Sequence, residues 1–347
     1  MLGTEKPVLF YGGKSFVQTF NLKKGWNWVS FNVYSEKFTN LNNLLKGVPW
    51  EEGDVLTDIS SRQTLVFTKG EWLSTDSLKS IRLSPRKAYA VKVQNDIEFP
   101  IAGTVIKDED QRTMILKSGW NGIGYTPMLN LSVETALSDY YDKAQPGDVI
   151  KSHDEFAYFT IIGGVGRWKG SLQYMKPDEG YMLLRKAQTE TTFTYPYYEP
   201  GSTLIDEWSY PSTRRSQRSL HTMSLSAIVQ GFEPEAGDSL IAYSDGEICG
   251  AVKATNGDVL YMSINGEQQQ PLWFAIERNG EIVASTPEMM SFSANAVVGS
   301  PDEPTAINFV RNSYEDGMWY TTSGIQLQQR PTEKGVYIYN GKKILIK

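Results

Sequence analysis

Two decapeptides with nearly the same pattern of apolar and polar residues occur in the chain. "LKKGWNWVSF" begins at Leu22 and "LKSGWNGIGY" begins at Leu116, and both place a tryptophan, Trp26 or Trp120, directly after a glycine. Alternation of apolar and polar positions is typical of a strand with one buried face. Because a recurring segment of this kind marks a structural repeat, the pattern predicts one module used twice.

The similarity of the two copies continues beyond the opening strand. The apolar spacing in "LNNLLKGV" and "SVETALSDYY" predicts a short helix in each copy, and the Gly-Asp pairs at Gly53 and Gly147 predict a turn before the next strand. Three matched pairs follow in the same order: Trp72 with Trp168, Pro85 with Pro177, and Tyr89 with Tyr181. The sequence therefore predicts two tandem mixed-sheet repeats, residues 16–106 and 107–198, after an N-terminal strand or linker at 1–15.

The second half of the chain has a different pattern. Residues 199–218 are rich in Ser, Pro and Arg, which predicts a linker. Residues 219–310 form apolar runs separated by Asp-Gly or Asn-Gly pairs, and such pairs supply the positive φ values of tight hairpins. The pairs begin at Asp245, Asn256, Asn265 and Asn279. The pattern predicts an antiparallel Ig-like β-sandwich followed by a hairpin tail at 311–347, and the whole chain reads as mainly β, a β-rich α+β protein.

Composition narrows the classes of partner. The chain of 347 residues carries a net charge of −6 without a broad basic cluster, which argues against nucleic acid as a partner. It contains no run of about 18 apolar residues, so the sequence predicts no membrane-spanning segment. Cys249 is the single cysteine, which excludes an intramolecular disulfide and a Cys-based zinc site. We expect its side chain to be a small buried hydrophobe.

Few residue patterns in the chain are suited to catalysis. His153 and His221 lie in different modules and lack metal-ligand spacing. The segment "GGVGR" at Gly163 lacks the Lys-Ser/Thr of a phosphate-binding loop and is interpreted as a hairpin loop. The acidic segments "EPEAGD" and "PDEP" lack the ordered carboxylate spacing of a calcium loop and are interpreted as surface turns. We therefore expect neither enzyme activity nor a cofactor.

Tryptophan supplies the candidate ligand contacts. The repeated aromatic residues are expected in the cores, where each buried ring hides roughly 150 to 250 Å² of surface. Trp28, Trp50 and Trp208 have no counterpart in the other copy, and an unpaired tryptophan is a better candidate for an exposed contact. Trp28, Trp50 and Trp72 are the candidate platform on which a sugar ring would stack.

The motifs resemble those of known proteins. The "GWN" strand, the "GD(V/I)" turn, "W-x-G-S-L" and "P-x-x-G-Y" resemble tandem modules near the C-termini of large exported proteins of Bacteroidota, and "LSAIVQGFEPEAGDSLIAYSDGEICGAVK" is similar to a β-sandwich module of such proteins. The tail resembles the end of the C-terminal sorting domain used by the type IX secretion system. Its matching residues are Gly335, Tyr337, Gly341, Lys342, Lys343 and Lys347. A simple closing hairpin of the sandwich is the alternative interpretation of the tail.

The resemblance implies an exported protein, located outside the cell or on the outer-membrane surface, whose tail has the secretion machinery as its partner. Because "KPVLF" reads as a strand close to the first residue, we expect this chain to be a piece of a longer precursor. The expected function is that of a non-catalytic structural or adhesive region with a glycan or protein ligand. The alternative is one or more carbohydrate-binding modules attached to a larger secreted protein.

Overall fold

The protein is built mainly from β-strands. The computed structural model describes residues 15–75, 81–199, 218–311, 319–321, 326–327, 329–339 and 342–346. Strands account for 50% of the structure and helices for 8%. These proportions confirm the mainly β fold class predicted from the sequence. The predicted N-terminal strand at "KPVLF" lies outside the described residues.

The first repeat combines a five-stranded sheet with a three-stranded sheet. Its strands are β1 (Ser15–Leu22), β2 (Gly25–Val29), β3 (Val33–Tyr34), β4 (Val55–Asp58), β5 (Thr64–Thr68), β6 (Glu71–Ser74), β7 (Tyr89–Val93) and β8 (Ile97–Val105). The five-stranded sheet has the order β2–β7–β4–β5–β6, and the three-stranded sheet has the order β1–β8–β3. The predicted helical region is a 3-10 segment, Glu36–Thr39, followed by one α-helical turn, α1 (Leu41–Leu44).

The second repeat shares the five-stranded sheet of the first but has two strand pairs in place of the three-stranded sheet. Its elements are α2 (Glu109–Arg112), β9 (Thr113–Leu116), β10 (Gly119–Ile123), β11 (Leu131–Ser132), α3 (Val133–Ala136), a 3-10 segment (Ser138–Lys143), β12 (Val149–Lys151), β13 (Phe156–Ile162), β14 (Val165–Gly170), β15 (Tyr174–Met175), β16 (Tyr181–Arg185) and β17 (Thr191–Thr194). Its five-stranded sheet has the order β10–β16–β12–β13–β14, which corresponds strand for strand to the first repeat. Two short pairs, β11–β15 and β9–β17, complete it.

Both five-stranded sheets are antiparallel throughout, so the prediction of mixed sheets was wrong in this respect. The helical region does lead from β2 to a strand that runs in the same direction, β4. However, β7 inserts between these two strands and pairs antiparallel with both. Because β7 comes from a later part of the chain, the local sequence around the helix does not encode this pairing.

The "GWN" motif recurs because it closes the same turn in both repeats. Gly25 and Gly119 adopt φ values of 94° and 87°, a backbone conformation that is strongly disfavoured for residues other than glycine. Asn27 and Asn121 each accept the N–H of the lysine four positions earlier, at 2.9 and 2.8 Å. Each asparagine also donates to the carbonyl of that lysine, at 2.7 and 2.8 Å. The motif therefore fixes the path of the chain into β2 and β10.

The "GD" motif also has a local physical reason. Asp54 and Asp148 each accept, through a carboxylate oxygen, the N–H of the residue three positions earlier, at 2.9 and 3.0 Å. Asp238 in the sandwich makes the same contact at 2.9 Å. These contacts confirm the predicted turns at Gly53-Asp54 and Gly147-Asp148, and they show that the turn predicted in "EPEAGD" is of the same kind.

Among the described residues, three large hydrophobic cores lie within residues 20–101, 114–195 and 223–309, and a fourth, smaller cluster surrounds Trp28. The matched tryptophans Trp72 and Trp168 are buried in the first two cores, which confirms the core-packing interpretation for this pair. The hydroxyls of Tyr89 and Tyr181 accept backbone N–H groups at 2.8 and 2.7 Å. The tyrosine of the "P-x-x-G-Y" motif therefore provides a hydrogen-bond acceptor for a backbone N–H in the loop that precedes its own strand.

The third unit is a two-sheet sandwich. Its strands are β18 (His221–Gln230), β19 (Ser239–Ser244), β20 (Glu247–Lys253), β21 (Leu260–Gly266), β22 (Pro271–Arg278), β23 (Glu281–Ser285), β24 (Met290–Ser291), β25 (Val297–Val298), β26 (Thr305–Asn308) and β27 (Val310–Arg311). One sheet has the order β21–β18–β25 with β26 also on β18, and the other has the order β20–β19–β22–β23–β27 with β24 on β22. The pairs of β18 with β25 and β26 are parallel, unlike the predicted antiparallel sandwich, because these strands return after a long connection.

The predicted hairpin turns differ in outcome. Asp245-Gly246 and Asn279-Gly280 have positive φ at both residues and join consecutive strands, as predicted. Asn265-Gly266, in contrast, are the last two residues of β21 and pair with β18, so the prediction of a turn at this pair was wrong. The Asn265 side chain accepts the N–H of Ser219 at 3.3 Å, a tertiary contact that gives this asparagine another role.

The tail forms a small antiparallel sheet. Its strands are β28 (Trp319–Thr321), β29 (Gln326–Leu327), β30 (Gly335–Tyr339) and β31 (Lys342–Ile346), in the order β29–β28–β30–β31. The predicted hairpin of β30 and β31 is confirmed. In the described part of the tail, the strands pair with one another and with neither sheet of the sandwich. Trp319 stacks on Tyr339 with ring centroids 4.5 Å apart.

Candidate functional site

The two repeats face each other across an approximate two-fold relationship. The N–H of Ser30 donates to the carbonyl of Asp178 at 3.1 Å, and the N–H of Gly124 donates to the carbonyl of Arg86 at 3.1 Å. Ser30 corresponds to Gly124 in the repeat alignment, and Arg86 corresponds to Asp178. One contact is therefore made twice with the roles of the repeats exchanged, as in an isologous interface.

Glycine permits this close approach. A Cβ on Gly124 would lie 1.9 Å from the carbonyl oxygen of Pro85, and a Cβ on Gly180 would lie 2.6 Å from that of Val29. The hydroxyl of Ser30 fills the remaining space, donating to the carbonyl of Glu179 at 2.6 Å and accepting the N–H of Tyr125 at 2.9 Å. The repeats are thus joined by backbone contacts that larger residues would prevent.

Lys151 is the central residue where the two repeats meet the sandwich. Its side chain is 1% exposed, and its Nζ lies 5.5 Å from the ring centroid of Trp28 and 4.7 Å from that of Trp120. The same Nζ donates to the carbonyl and the hydroxyl of Thr222, both at 3.1 Å, and to Oδ1 of Asn295 at 3.0 Å. Burial lowers the pKa of Lys151 to about 7.

Residues 218–222, called the strap here, cross from the linker into the sandwich over the first repeat. The carbonyl of Arg218 accepts the N–H of Trp26 at 3.3 Å, and Nε of Arg218 donates to the carbonyl of Trp26 at 2.8 Å. The indole Nε1 of Trp28 donates to the carbonyl of Leu220 at 3.3 Å. The strap therefore covers the free edge of β2.

His153 and Asp154 hold the strap from the side of the second repeat. The buried imidazole of His153 bonds to the carboxylate of Asp154 and to the carbonyl of Ser219, both at 2.8 Å. Arg218 also contacts Asp154, at 3.2 Å. Burial on its own raises the pKa of Asp154, but the hydrogen bond from His153 and the charge of Arg218 outweigh it and hold the pKa below its usual range. These contacts give His153 a structural role.

The two-fold relationship is broken at the positions that receive the strap. Ile59 of the first repeat corresponds to His153 of the second, and Gly122 corresponds to Trp28. A Cβ on Gly122 would lie 2.9 Å from Oγ of Ser60, because residues of the first repeat occupy the space that an indole fills on the other side. Only one of the two related surfaces is therefore shaped to hold the strap.

Two carboxyl groups near the contact between the repeats have perturbed acidity. Burial raises the pKa of Glu155 to about 7, and it raises that of Asp178 to about 7. The negative charge of Glu179 acts in the same direction on both, whereas Lys176 opposes it. Within the described residues, no group of three or more His, Cys, Asp or Glu side chains is arranged to hold a metal ion.

The predicted sugar platform is not supported by the positions of its three tryptophans. Trp28 and Trp72 are each 5% exposed and Trp50 is 9% exposed, so none offers an open ring face. Trp50 packs edge-on against Trp72 with ring centroids 5.1 Å apart, while Trp28 lies at the junction with Lys151. A tryptophan without a counterpart in the other repeat serves packing here. Trp208 lies outside the described residues.

Several other predicted features have clear positions. Gly163 and Gly164 form the turn between β13 and β14 with φ values of 59° and 80°, which confirms a hairpin loop. Cys249 is buried on β20, as expected. The "EPEAGD" segment forms a turn, as predicted, and Asp238 and Glu235 in it bind the guanidinium of Arg278, an ion pair that the sequence did not predict.

Sequence reasoning missed one aromatic pair on the sandwich. Tyr243 of β19 and Trp273 of β22 stack with ring centroids 4.6 Å apart and planes 15° from parallel. Their neighbours Leu240, Ala242, Leu272 and Phe274 belong to the core, and strand alternation therefore places the pair on the opposite face. Both rings are partly exposed. The cross-strand partnership depends on register, which the sequence pattern alone does not provide.

Comparison of the chain with protein-family models, with curated proteins and with solved structures gives no match. Among the described residues, no helix has the length and apolar character needed to cross a bilayer. The tail residues Gly335 and Tyr337 lie on β30, and Lys342 and Lys343 begin β31. The motif residues Gly341 and Lys347 lie outside the described part of the tail.

Proposed function

We propose that this chain is a non-catalytic structural and adhesive region of an exported cell-surface protein, and that its tail directs secretion and surface anchoring. The junction around Lys151 is the observation that supports this proposal most directly. It joins both repeats and the sandwich through buried contacts, as expected of a region that must hold a fixed shape. The aromatic residues of the repeats are used largely for packing, which leaves the outer faces as contact surfaces.

The arrangement of the tail supports a separate role for it. Its sheet pairs internally, and Val336 and Leu345, which face each other on β30 and β31, are 45% and 61% exposed. Exposed apolar residues on one sheet face are common where a protein binds a partner. On this proposal, the partner is the type IX secretion machinery, and the location is the extracellular space or the outer-membrane surface.

Removal of the tail tests the secretion role. The full protein and a form that lacks residues 331–347 are expressed in a bacterium with the type IX system, and both are located by cell fractionation and surface proteolysis. We expect export of the full protein and periplasmic retention of the shortened form. Val336→Ser with Leu345→Ser tests the exposed face, and Ile115→Ser with Val310→Ser is the control at sites that are 52% and 55% exposed. Equal export of all forms would contradict the proposal.

The Tyr243–Trp273 pair favours carbohydrate binding as a second candidate function. Partly exposed aromatic rings on an outer sheet face are suited to stacking against the apolar face of a sugar ring. Titration with a panel of glycans, followed by tryptophan fluorescence, tests this function. We expect a saturable change that Trp273→Ala removes and Tyr34→Ala, at another exposed aromatic residue, retains. A silent panel, or equal responses from both variants, would rule against this site.

A further inference from the structure

We propose that the docking of the sandwich on the repeat pair is a proton-sensitive joint, in which Lys151 releases a proton as the three units close around it. This inference is independent of export and of ligand binding. It rests on the position of the amine, whose covering atoms come from both repeats and from the sandwich. The joint belongs to the fold itself, because each of its contacts lies within this chain.

The hydrogen bonds of the Lys151 amine exist only when the sandwich is docked. Thr222 and Asn295, which supply all three of its hydrogen-bond acceptors, belong to the sandwich, and Trp28 and Trp120 belong to the repeats. Moving the sandwich away would expose the amine to water. The acceptors and the indole faces offset part of the cost of burying a charge, but among the described residues no carboxylate contacts Lys151.

The other ionisable groups around the joint do not titrate in the same way. On β18, burial lowers the pKa of His221, and the positive charges of Lys151 and Arg62 lower it further, so His221 is neutral where Lys151 changes charge. On the turn after β12, Asp154 stays ionised and binds both His153 and Arg218. The residues that flank Asn295, Ala294 and Ala296, carry no charge.

Glu155 and Asp178, near the contact between the repeats, change charge around pH 7. This is the lower limit of the pH range, from about 7 to 10.5, in which Lys151 differs in charge between the docked and undocked states. Above that limit Lys151 is the group expected to dominate. Its pKa is about 7 when docked, against 10.5 for a free lysine, so the undocked state binds more protons between these values. The docking equilibrium should therefore tighten as pH rises, by up to about tenfold per pH unit, because one proton is released.

Hydrogen exchange on the full chain tests the joint. The N–H of Trp26 in the first repeat bonds to the carbonyl of Arg218 of the strap, so this amide reports opening. The N–H of Phe67, bonded to Asp54 within the first repeat, is the internal reference. Between about pH 7.5 and about pH 9.5, protection at the Trp26 amide should rise by up to about tenfold per pH unit after correction for intrinsic exchange. Protection at the reference should rise less.

Two lysine variants and a direct titration of the Lys151 side chain show whether Lys151 is the group that makes docking depend on pH. Lys151→Met should remove the pH dependence of protection at the Trp26 amide, and Lys169→Met, at an exposed lysine, should retain it. Equal slopes in the wild type and Lys151→Met would overturn the proposal. If Lys151→Met does not fold, NMR titration of the Lys151 side chain in the wild type gives the answer alone. A midpoint near 7 supports the joint, and a midpoint near the ordinary 10.5 overturns it.

Discussion

Arg278 holds Asp238 with two hydrogen bonds of 2.8 Å, one from Nε and one from Nη2. The Asp238 side chain is 1% exposed and also caps the turn at Glu235. A hydrogen bond from Arg278 lowers the pKa of this carboxyl, and burial opposes the shift only in part. The pair closes the turn between β18 and β19, and the strength of this contact can be measured.

Arg278→Met is expected to lower the free energy of unfolding by about 2 kcal/mol, because it leaves a buried carboxylate with fewer donors. Since the folded pKa of Asp238 is lowered, the stabilisation is present above its unfolded pKa of 3.8 and is lost as pH falls through the folded value. Urea denaturation at neutral and acidic pH measures both effects. Arg278→Lys, which keeps the positive charge, should lose less stability than Arg278→Met. An Arg278→Met variant with the free energy of unfolding of the wild type would contradict the prediction.

Glu155→Gln is expected to stabilise the protein above neutral pH. Burial raises the folded pKa of Glu155 from 4.5 to about 7, so its favourable contribution is present below 4.5 and is lost as pH rises through 7. The variant and the wild type should therefore unfold at similar temperatures near pH 4.5. By about pH 8, roughly one unit above the folded pKa of Glu155, the variant should unfold at a higher temperature than the wild type. The exposed Glu190→Gln is the control. A variant that is less stable at the higher pH would show that the carboxylate is favourably bound.

Gly124→Ala is expected to disrupt the contact between the repeats. Its Cβ would meet the carbonyl oxygen of Pro85 at 1.9 Å, and backbone atoms cannot yield as a flexible side chain does. We expect a loss of about 3 kcal/mol in the free energy of unfolding. Gly335→Ala is the matched control, because the nearest atoms to its Cβ belong to the Tyr337 ring at 3.2 Å. Equal stability of the two variants would mean that the repeats meet differently.

Asn27→Ala and Asn121→Ala are expected to have similar effects, because the two side chains close the same turn. Each loses hydrogen bonds to the preceding lysine and to the preceding glycine carbonyl. We expect each variant to lose about 1 to 3 kcal/mol of stability in thermal unfolding. The exposed Asn43→Ala should change stability little. A large loss for one asparagine alone would indicate that the turns are not equivalent.

The local motifs were the most predictable part of the molecule. The "GWN" and "GD" turns depend on hydrogen bonds between residues three or four positions apart, and so the sequence pattern contains both partners of each bond. The same is true of the hairpins at Asp245 and Asn279. Asn265-Gly266 has the same local signature and was misassigned, because its pairing with β18 and its contact with Ser219 come from a distant part of the chain.

The candidate site was far less predictable. Lys151 is an ordinary lysine in the sequence, and its repeat counterpart Thr57 shows nothing unusual. Its role appears only when Trp120 and Thr222 are brought beside it, from positions 31 and 71 residues away in the chain respectively. Similarly, the lack of a counterpart in the second repeat predicts that Trp28 is an exposed contact, yet the strap and Lys151 bury it.

The sequence by itself determined the mainly β character, the repetition of the first module and the turns that begin its strands, because these depend on neighbouring residues and on the alternation of apolar positions. Tertiary structure decided which strand inserts between which, which tryptophans are covered, and where a charge is buried. Those outcomes depend on free energies of packing and desolvation that arise only when distant segments exclude water together.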